Sequence, residues 1–545
     1  MSHITATNLA YAHPGGDLLF NEVTFKISPG QHVGLVGING VGKSTLLRVL
    51  TKELPADEGD FSLGGRVAVM AQDVGAHDDP RTVRELLTDL APTELRVVGR
   101  QMIAAERALA GGDEQAGMAL GAAMDDWSTH GGYELEARWD AACRRIVRSG
   151  YGDLADRPAV TLSGGERKRL VLDVLFNSDA DVLLLDEPDN FLDIPAKREL
   201  EQQIAKSAKT VLMISHDREV LAAAVTHILT LEAGGTWMHG GSYATYPEAR
   251  EARQERMGDA LQRWKDEETR LFQLMKTFKQ RARYSDAWAK KADAMESRLE
   301  RWRASGPPPA PVTDQQIRVR IKGGDAARKA LTLHDVAIDG LVLPFSEEIH
   351  HGERIGLIGP NGGGKTHLMR VFAGGDQPTG GSAVTGSRVS VGFFTQLNLR
   401  EDEPDRTPVE IISDVTGAVH SAMGALARYG LADAAQRPHR VLSGGQKARL
   451  DILCLELEGH NLLLLDEPTD NLDIDSAEAL EQALDGFEGA VVAVSHDRAF
   501  LKQMDRFLMV LHDGHVVSLP DERSAMEALL DPARAASVRL AKRLS

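Results

Sequence analysis

Apolar runs of strand length recur along this chain in two sets, each followed by a glycine-rich or acidic turn. His32-Val-Gly-Leu-Val-Gly37 leads through a glycine loop into Thr45-Leu-Leu-Arg-Val-Leu50, whose pattern is helical. Arg354-Ile-Gly-Leu-Ile-Gly359 and His367-Leu-Met-Arg-Val-Phe372 repeat this about 320 residues later. The unbroken apolar runs at 182–185, 211–214, 462–465 and 491–494 predict strands buried on both faces, as in a parallel sheet. The pattern therefore predicts an α/β fold with two tandem units, residues 1–246 and 313–545.

A different period appears between the units. Met257, Leu261, Trp264, Glu268, Leu271, Met275 and Phe278 alternate in steps of four and three, and only Glu268 breaks the apolar seam. Trp288, Ala292, Met295, Leu299 and Trp302 continue the heptad spacing. Two such stretches with a short break predict an antiparallel α-helical hairpin linker over 247–312, with a reach of roughly 30–45 Å. The proline run after Gly306 ends it. The first unit also holds about 44 more residues between Gln72 and Ser163 than the second holds between Gln396 and Ser443. They are Ala-rich, fall near 93–132, and read as a helical arm inserted in the first unit, or as a tolerated surface insertion.

Composition narrows the picture modestly. The 545 residues carry a net charge of −18, so any contact with nucleic acid needs a local basic patch. Such a patch lies at the expected hairpin turn: Lys276, Lys279, Arg281, Arg283, Lys290 and Lys291 against Asp286, interleaved with Tyr284 and Trp288. It reads either as a solvated charged face or as an RNA-binding tip, where cations meet phosphate and rings stack on bases. Cys143 and Cys454 stand far apart and suggest no disulfide framework or metal cluster. With no signal-peptide pattern and no apolar run of about 20 residues, a cytoplasmic protein without its own membrane domain is expected.

The chemistry is duplicated. Gly37-Ile-Asn39-Gly40-Val-Gly42-Lys43-Ser44 and Gly359-Pro-Asn361-Gly362-Gly-Gly364-Lys365-Thr366 both fit the phosphate-binding loop G-x-x-x-x-G-K-[ST]. Glycines let the backbone approach anionic oxygens, the lysines reach the β- and γ-phosphates, and the hydroxyls of Ser44 and Thr366 ligate Mg²⁺. Asp186 and Asp466 end apolar strands, where a carboxylate holds the metal through water. Glu187 and Glu467 follow and are candidates to polarise an attacking water. His216 and His496, each in Ser-His-Asp-Arg, are candidate γ-phosphate sensors, and Gln72 and Gln396 candidate contacts to metal or water. Ser163-Gly164-Gly165 and Ser443-Gly444-Gly445 supply a hydroxyl and amides at expected helix starts, a second anion site.

These motifs in this order resemble the ATP-binding cassette superfamily over nearly the whole chain. The resemblance implies an ATPase whose cassettes close head to tail, so ATP on one loop is capped by the LSGG segment of the other cassette. One site then joins Lys43, Ser44, Gln72, Asp186, Glu187 and His216 to Ser443 and Gly445. The other joins Lys365, Thr366, Gln396, Asp466, Glu467 and His496 to Ser163 and Gly165. Asp193 and Asp473 match the loop that couples them. Within the superfamily the chain looks most like the ABC-F branch, on the strength of twin cassettes, an arm, a charged helical linker, and the segments 131–138 and 240–246. That implies a monomer that binds the ribosome, touching rRNA and tRNA through linker and arm, as a translation factor or an antibiotic-resistance protein. The alternative from another class is an ATPase subunit energising a separate membrane transporter.

Three departures predict unequal sites. Tyr11 is placed to stack on adenine in the first site with no aromatic equivalent before Lys365. His367 replaces the hydroxyl of Thr45, where the family helps bind the α-phosphate. Asp189 replaces the usual Thr after Glu187-Pro188.

Overall fold

A six-stranded sheet organises each half. The first half runs in the order Val67–Met70, Val182–Asp186, Thr210–Ile214, His32–Val36, His227–Glu232, Gly235–His239. The second runs Val391–Phe394, Leu462–Asp466, Ala490–Val494, Arg354–Ile358, Arg506–Val510, Val516–Leu519. In both, every pairing is parallel except the last. Strands 182–186 and 462–466 are buried along their whole length, the expectation for a sheet covered on both faces. A three-stranded antiparallel sheet adds to each half: Leu18–Ile27, His3–Ala12, Glu58–Gly64 in the first, and Val342–His350, Lys329–Ile338, Gly380–Thr385 in the second. The computed structural model describes all residues except 1, 14, 17, 73, 76–78, 233, 285, 312–326, 395–402, 471 and 532–545. Gln396 lies outside the described residues.

This topology positions the chemistry. The loops after strands 32–36, 182–186 and 210–214 all leave the carboxyl edge of the sheet, where open α/β sheets bind ligands. The second half repeats the arrangement with strands 354–358, 462–466 and 490–494.

Helices Thr93–Ala110 and Ala116–Thr129 occupy most of the extra length of the first half, followed by Gly132–Ile146. Trp127 and Trp139, each 1% exposed, anchor them, with ring centroids 6.2 Å apart. A Cβ on Gly132 would lie 2.2 Å from the Trp127 ring, so no larger residue fits there. Val97, Leu109 and Met118 stay exposed on these helices.

The two cassettes cluster as one compact unit, and Tyr243–Asp314 form a second. The second unit is an antiparallel pair of helices, Tyr246–Arg281 and Asp286–Ala304. Its seam follows the heptad: Leu271, Ala292 and Leu299 are buried, Trp264 stacks on Trp302, and Phe278 meets Trp288. Glu268, the polar break, accepts from Arg303 Nε across the hairpin at 2.7 Å. The first helix is longer than the heptads indicate. Its 36 residues begin at Tyr246 with Pro247 in the first turn and extend about 54 Å at 1.5 Å per residue. No helix among the described residues is long and apolar enough to cross a membrane.

Candidate active sites

Both glycine loops wrap the start of a helix that has no side-chain cap and no acidic residue in its first turn. The helices are Lys43–Leu50 and Lys365–Phe372. Orphan N–H groups and the positive end of the helix dipole therefore face the loop, a fit for phosphate. Gly40, Gly42, Gly362 and Gly364 all have φ between 76° and 101°, a left-handed backbone that glycine adopts without strain. At Gly42 a Cβ would also collide with Leu19 at 2.7 Å. The Lys43 ammonium donates to the Gly37 and Ile38 carbonyls at 2.7 and 3.2 Å, and Lys365 to those of Gly359 and Pro360 at 3.0 Å each. Burial pushes Lys43 down to about 8, against nearby carboxylates of which Asp473 acts most strongly.

The carboxylates sit at the strand ends. Asp186 is pushed up to about 6 by burial while the Ser44 hydroxyl pulls it down, and its Oδ1 has no hydrogen-bond partner. Asp466 is likewise raised by burial against the Thr366 hydroxyl. Neither of its oxygens meets strict hydrogen-bond geometry, so that contact is a loose one. Buried carboxylates with orphan oxygens beside a hydroxyl fit a divalent cation. Glu187 and Glu467 follow at φ 49° and 50°, a strained backbone for a non-glycine residue.

The two glutamates are held differently. Glu187 accepts from Gln72 at 3.0 Å and Asn190 at 2.6 Å, with His216 Nε2 at 3.9 Å. Glu467 accepts from the His496 backbone N–H at 3.0 Å, with the His496 ring at 3.5 Å. Burial, reinforced by Asp470 in the place of Asn190, raises Glu467 to about 8. Burial lowers both histidines, His216 to about 3, so both rings are neutral hydrogen-bonding groups. His496 Nε2 also reaches Asn361 Oδ1 at 3.0 Å.

Each cavity is completed by the opposite cassette. One, of about 370 Å³, brings Asn39, Gly40, Gly42, Lys43, Ser44, Thr45, Gln72, Glu187 and His216 together with Ser443, Gly444 and Gly445. The other, of about 520 Å³, brings Asn361, Gly362, Gly364, Lys365, Thr366, His367, Asp466, Glu467 and His496 together with Ser163, Gly164 and Gly165. Ser163 and Ser443 are N-caps of helices Gly164–Phe176 and Gly444–Glu458, in capping boxes with Glu166 and Gln446. The loops touch across the interface: Asn39 N–H donates to Asp473 at 2.9 Å, and Asn361 Nδ2 to the Phe191 carbonyl at 3.2 Å. Two ion pairs related by the internal repeat, Arg218 with Glu481 and Arg498 with Glu201, join the cassettes nearby.

Tyr11 requires a correction. It is 7% exposed and packs in the core with Phe20, so its ring does not border the first cavity. Alternation along the strand His3–Ala12 turns it inward. His13 and Leu19 line the cavity there, and Leu341 holds the corresponding place in the second.

Two buried lysines that belong to no motif also reach these sites. Lys168 donates to the Glu187 carbonyl at 2.5 Å, and Lys197 to Asp217 at 2.8 Å and the His496 carbonyl at 3.0 Å. Aligning the repeats on LSGG and Asp-Glu-Pro sets Lys168, Asp189 and Lys197 against Ala448, Thr469 and Ala477. That comparison within one sequence was the available signal.

At the hairpin turn, Lys279 pairs with Glu296 at 2.6 Å, while Arg281 and Lys291 lie over the Trp288 ring at 5.1 and 4.5 Å.

The ABC transporter family model matches residues 20–190 and 343–470. The chain is 40% identical over 543 residues to an antibiotic resistance protein of Mycobacteroides abscessus, covering 95% of this chain and 98% of that one. It is 32% identical to the tylosin resistance ATP-binding protein TlrC of Streptomyces fradiae, covering 92% and 95%. It is 31% identical to the energy-dependent translational throttle protein EttA of Mycobacterium tuberculosis, covering 91% and 89%. Among solved structures, RNase-L Inhibitor aligns with a TM-score of 0.59 at 19% identity, covering 96% of this chain and 93% of that one, a likeness of fold.

Proposed function

The chain belongs to the ABC-F branch of the ATP-binding cassette superfamily and is an ATPase, and on that premise we propose that it works on the ribosome. In this reading ATP fills both cavities, closure presents the arm (93–132) and hairpin (247–312) to rRNA and tRNA, and hydrolysis resets the molecule. The observation that carries the ATP half is the completion of each glycine loop by the SGG segment of the other cassette within one chain. A monomer therefore suffices. The ribosomal half is supported by relatives named for translational throttling and antibiotic resistance, and by the cations and rings at the hairpin turn. The exposed apolar side chains of the arm suit a macromolecular contact. The site of action is the cytoplasm.

The residues take these roles. Lys43 and Lys365, with the loop amides, bind and orient the phosphates. Ser44 with Asp186, and Thr366 with Asp466, would hold Mg²⁺, with Gln72 beside the first and Gln396 assigned to the second by its motif alone. The metal would neutralise charge on the β- and γ-phosphate oxygens. Glu187, and Glu467 in its ionised form, orient the attacking water and draw on its proton. His216 and His496, neutral, donate a hydrogen bond toward the γ-phosphate. Ser163 to Gly165 and Ser443 to Gly445 close the sites and exclude bulk water. On the hairpin, Lys276, Lys279, Arg281, Arg283, Tyr284, Lys290 and Lys291 contact RNA.

The test is sucrose-gradient sedimentation of Glu187→Gln/Glu467→Gln with ribosomes, with and without ATP. ATP-dependent co-migration is the expected result. ATP binding without co-migration would overturn the ribosomal reading and favour a subunit energising a separate membrane transporter.

A further inference from the structure

Much of the cassette interface is built from groups that the internal repeat supplies in pairs; among the described residues Lys502 with Glu219 and Arg218 with Glu478 depart from the pairing through an exposed partner, and Lys197 departs from it in the buried interior. Arg218 and Arg498, Glu201 and Glu481, Asp217 and Asp497 occupy equivalent positions and form cross-cassette contacts in both senses. Lys197 has no equivalent, because Ala477 stands in its place. Its ammonium is buried between the two cavities and bonded to Asp217 Oδ2 at 2.8 Å and to the His496 carbonyl at 3.0 Å. Lys197 stands in the first turn of helix Ile194–Lys206, where the helix dipole opposes a cation. Something must offset that cost and the loss of hydration. Asp217 does so directly. Asp189, 3% exposed and also absent from the second cassette, adds a second attraction.

The two ends of this bridge matter. Asp217 directly follows His216 of the first site and caps helix Arg218–Ala224 through its other oxygen. His496 belongs to the second site, with its backbone N–H on Glu467 Oε2 and its ring on Asn361. A continuous bonded path therefore runs from His216 through Asp217 and Lys197 to His496 and Glu467, and it exists in one sense only.

We propose that Lys197 is a positioning residue that ties the His216–Asp217 turn of the first ATP site to His496 and Glu467 of the second, making turnover at the second site depend on the interface more than turnover at the first. The inference rests on the reading of the two cavities as ATP sites. Coupling of ATP binding through such a bridge is reciprocal, but its effect on the chemical step need not be. Because the bridge ends on the His496 peptide and makes no bond to the His216 peptide, losing it displaces groups of the second site.

The experiment compares Lys197→Met, which keeps the aliphatic stem, in two backgrounds. Glu187→Gln leaves only the second site to hydrolyse ATP, and Glu467→Gln only the first. The expected result is a fall in kcat at the second site about tenfold larger than at the first, the size of one lost charged hydrogen bond. Equal slowing of both sites, or no slowing in a protein that melts normally, overturns the proposal. If Lys197→Met fails to fold, Lys168→Ala/Asp189→Thr/Lys197→Ala replaces it. Those are the residues that the second cassette tolerates at the same positions, and the same ratio decides. A Glu187→Gln/Glu467→Gln control that still hydrolyses ATP would instead refute the assignment of the two glutamates, and is read separately.

Discussion

At the residue scale, Glu187 and Glu467 show how one motif in two settings yields two electrostatic states. Glu187 faces amide donors from Gln72 and Asn190, whereas Glu467 faces a buried pocket with Asp470 where Asn190 would be. A folded pKa of about 8 lies above the unfolded value near 4.3. Between those values the unfolded chain gives up this proton first, so the nucleotide-free protein loses stability as pH rises through that window. Glu467→Gln cannot ionise. Its melting temperature relative to the parent should therefore rise between pH 5 and pH 8, by about 1 °C for each kcal/mol of relief in a chain of this length. A difference that stays constant with pH would show that Glu467 is ionised across the window. The residue types here were plain in the sequence. Their unequal environments were not, because Gln72 and Glu187 meet only when strands 67–70 and 182–186 pair.

At the element scale, the hairpin and the loop–helix units carry most of their information locally. Heptad spacing sets which residues of 246–281 and 286–304 face each other, and the structure realises that seam down to the pairing of Glu268 with Arg303. The turn chemistry is less local. Lys279 is tied to Glu296, and Arg281 and Lys291 lie on Trp288, so part of the basic cluster also braces the tip. Neutralising Lys276, Lys279, Arg281 and Arg283 should leave intrinsic ATP hydrolysis within about twofold while weakening the ribosome complex. Each lost phosphate contact should also flatten the dependence of log affinity on log salt by about 0.7–0.9. An unchanged salt slope, with unchanged translation, would remove these residues from the RNA contact. Tyr11 shows the limit of element-level reading. Its place near the end of strand His3–Ala12 was legible, but which face it takes depends on the register with Leu18–Ile27, where Tyr11 pairs with Phe20 and turns into the core.

At the scale of the molecule, the cassettes are joined through buried charge. Arg498 is 2% exposed and its partner Glu201 lies in the other cassette. Glu201→Ala should cost up to about 3–5 kcal/mol in urea unfolding, because it leaves the buried Arg498 with only its longer 4.0 Å contact to Asp217. The paired change Glu201→Leu/Arg498→Leu should cost much less, since no charge is then stranded. Equal losses would mean that the pair contributes through packing alone.

The sequence by itself determined the twin cassettes, the glycine loops, the strand-end carboxylates and the hairpin seam. Each is written in a short-range period or an ordered motif that the backbone reads within a few residues. Only the tertiary structure decided which groups share a cavity across roughly 200 to 400 residues, which ring borders it, and how each glutamate is held. It alone brought Lys197 to the carbonyl of His496, 299 positions away. Those outcomes depend on strand register and on burial, which set electrostatics through desolvation, and neither is a property of any local stretch of chain.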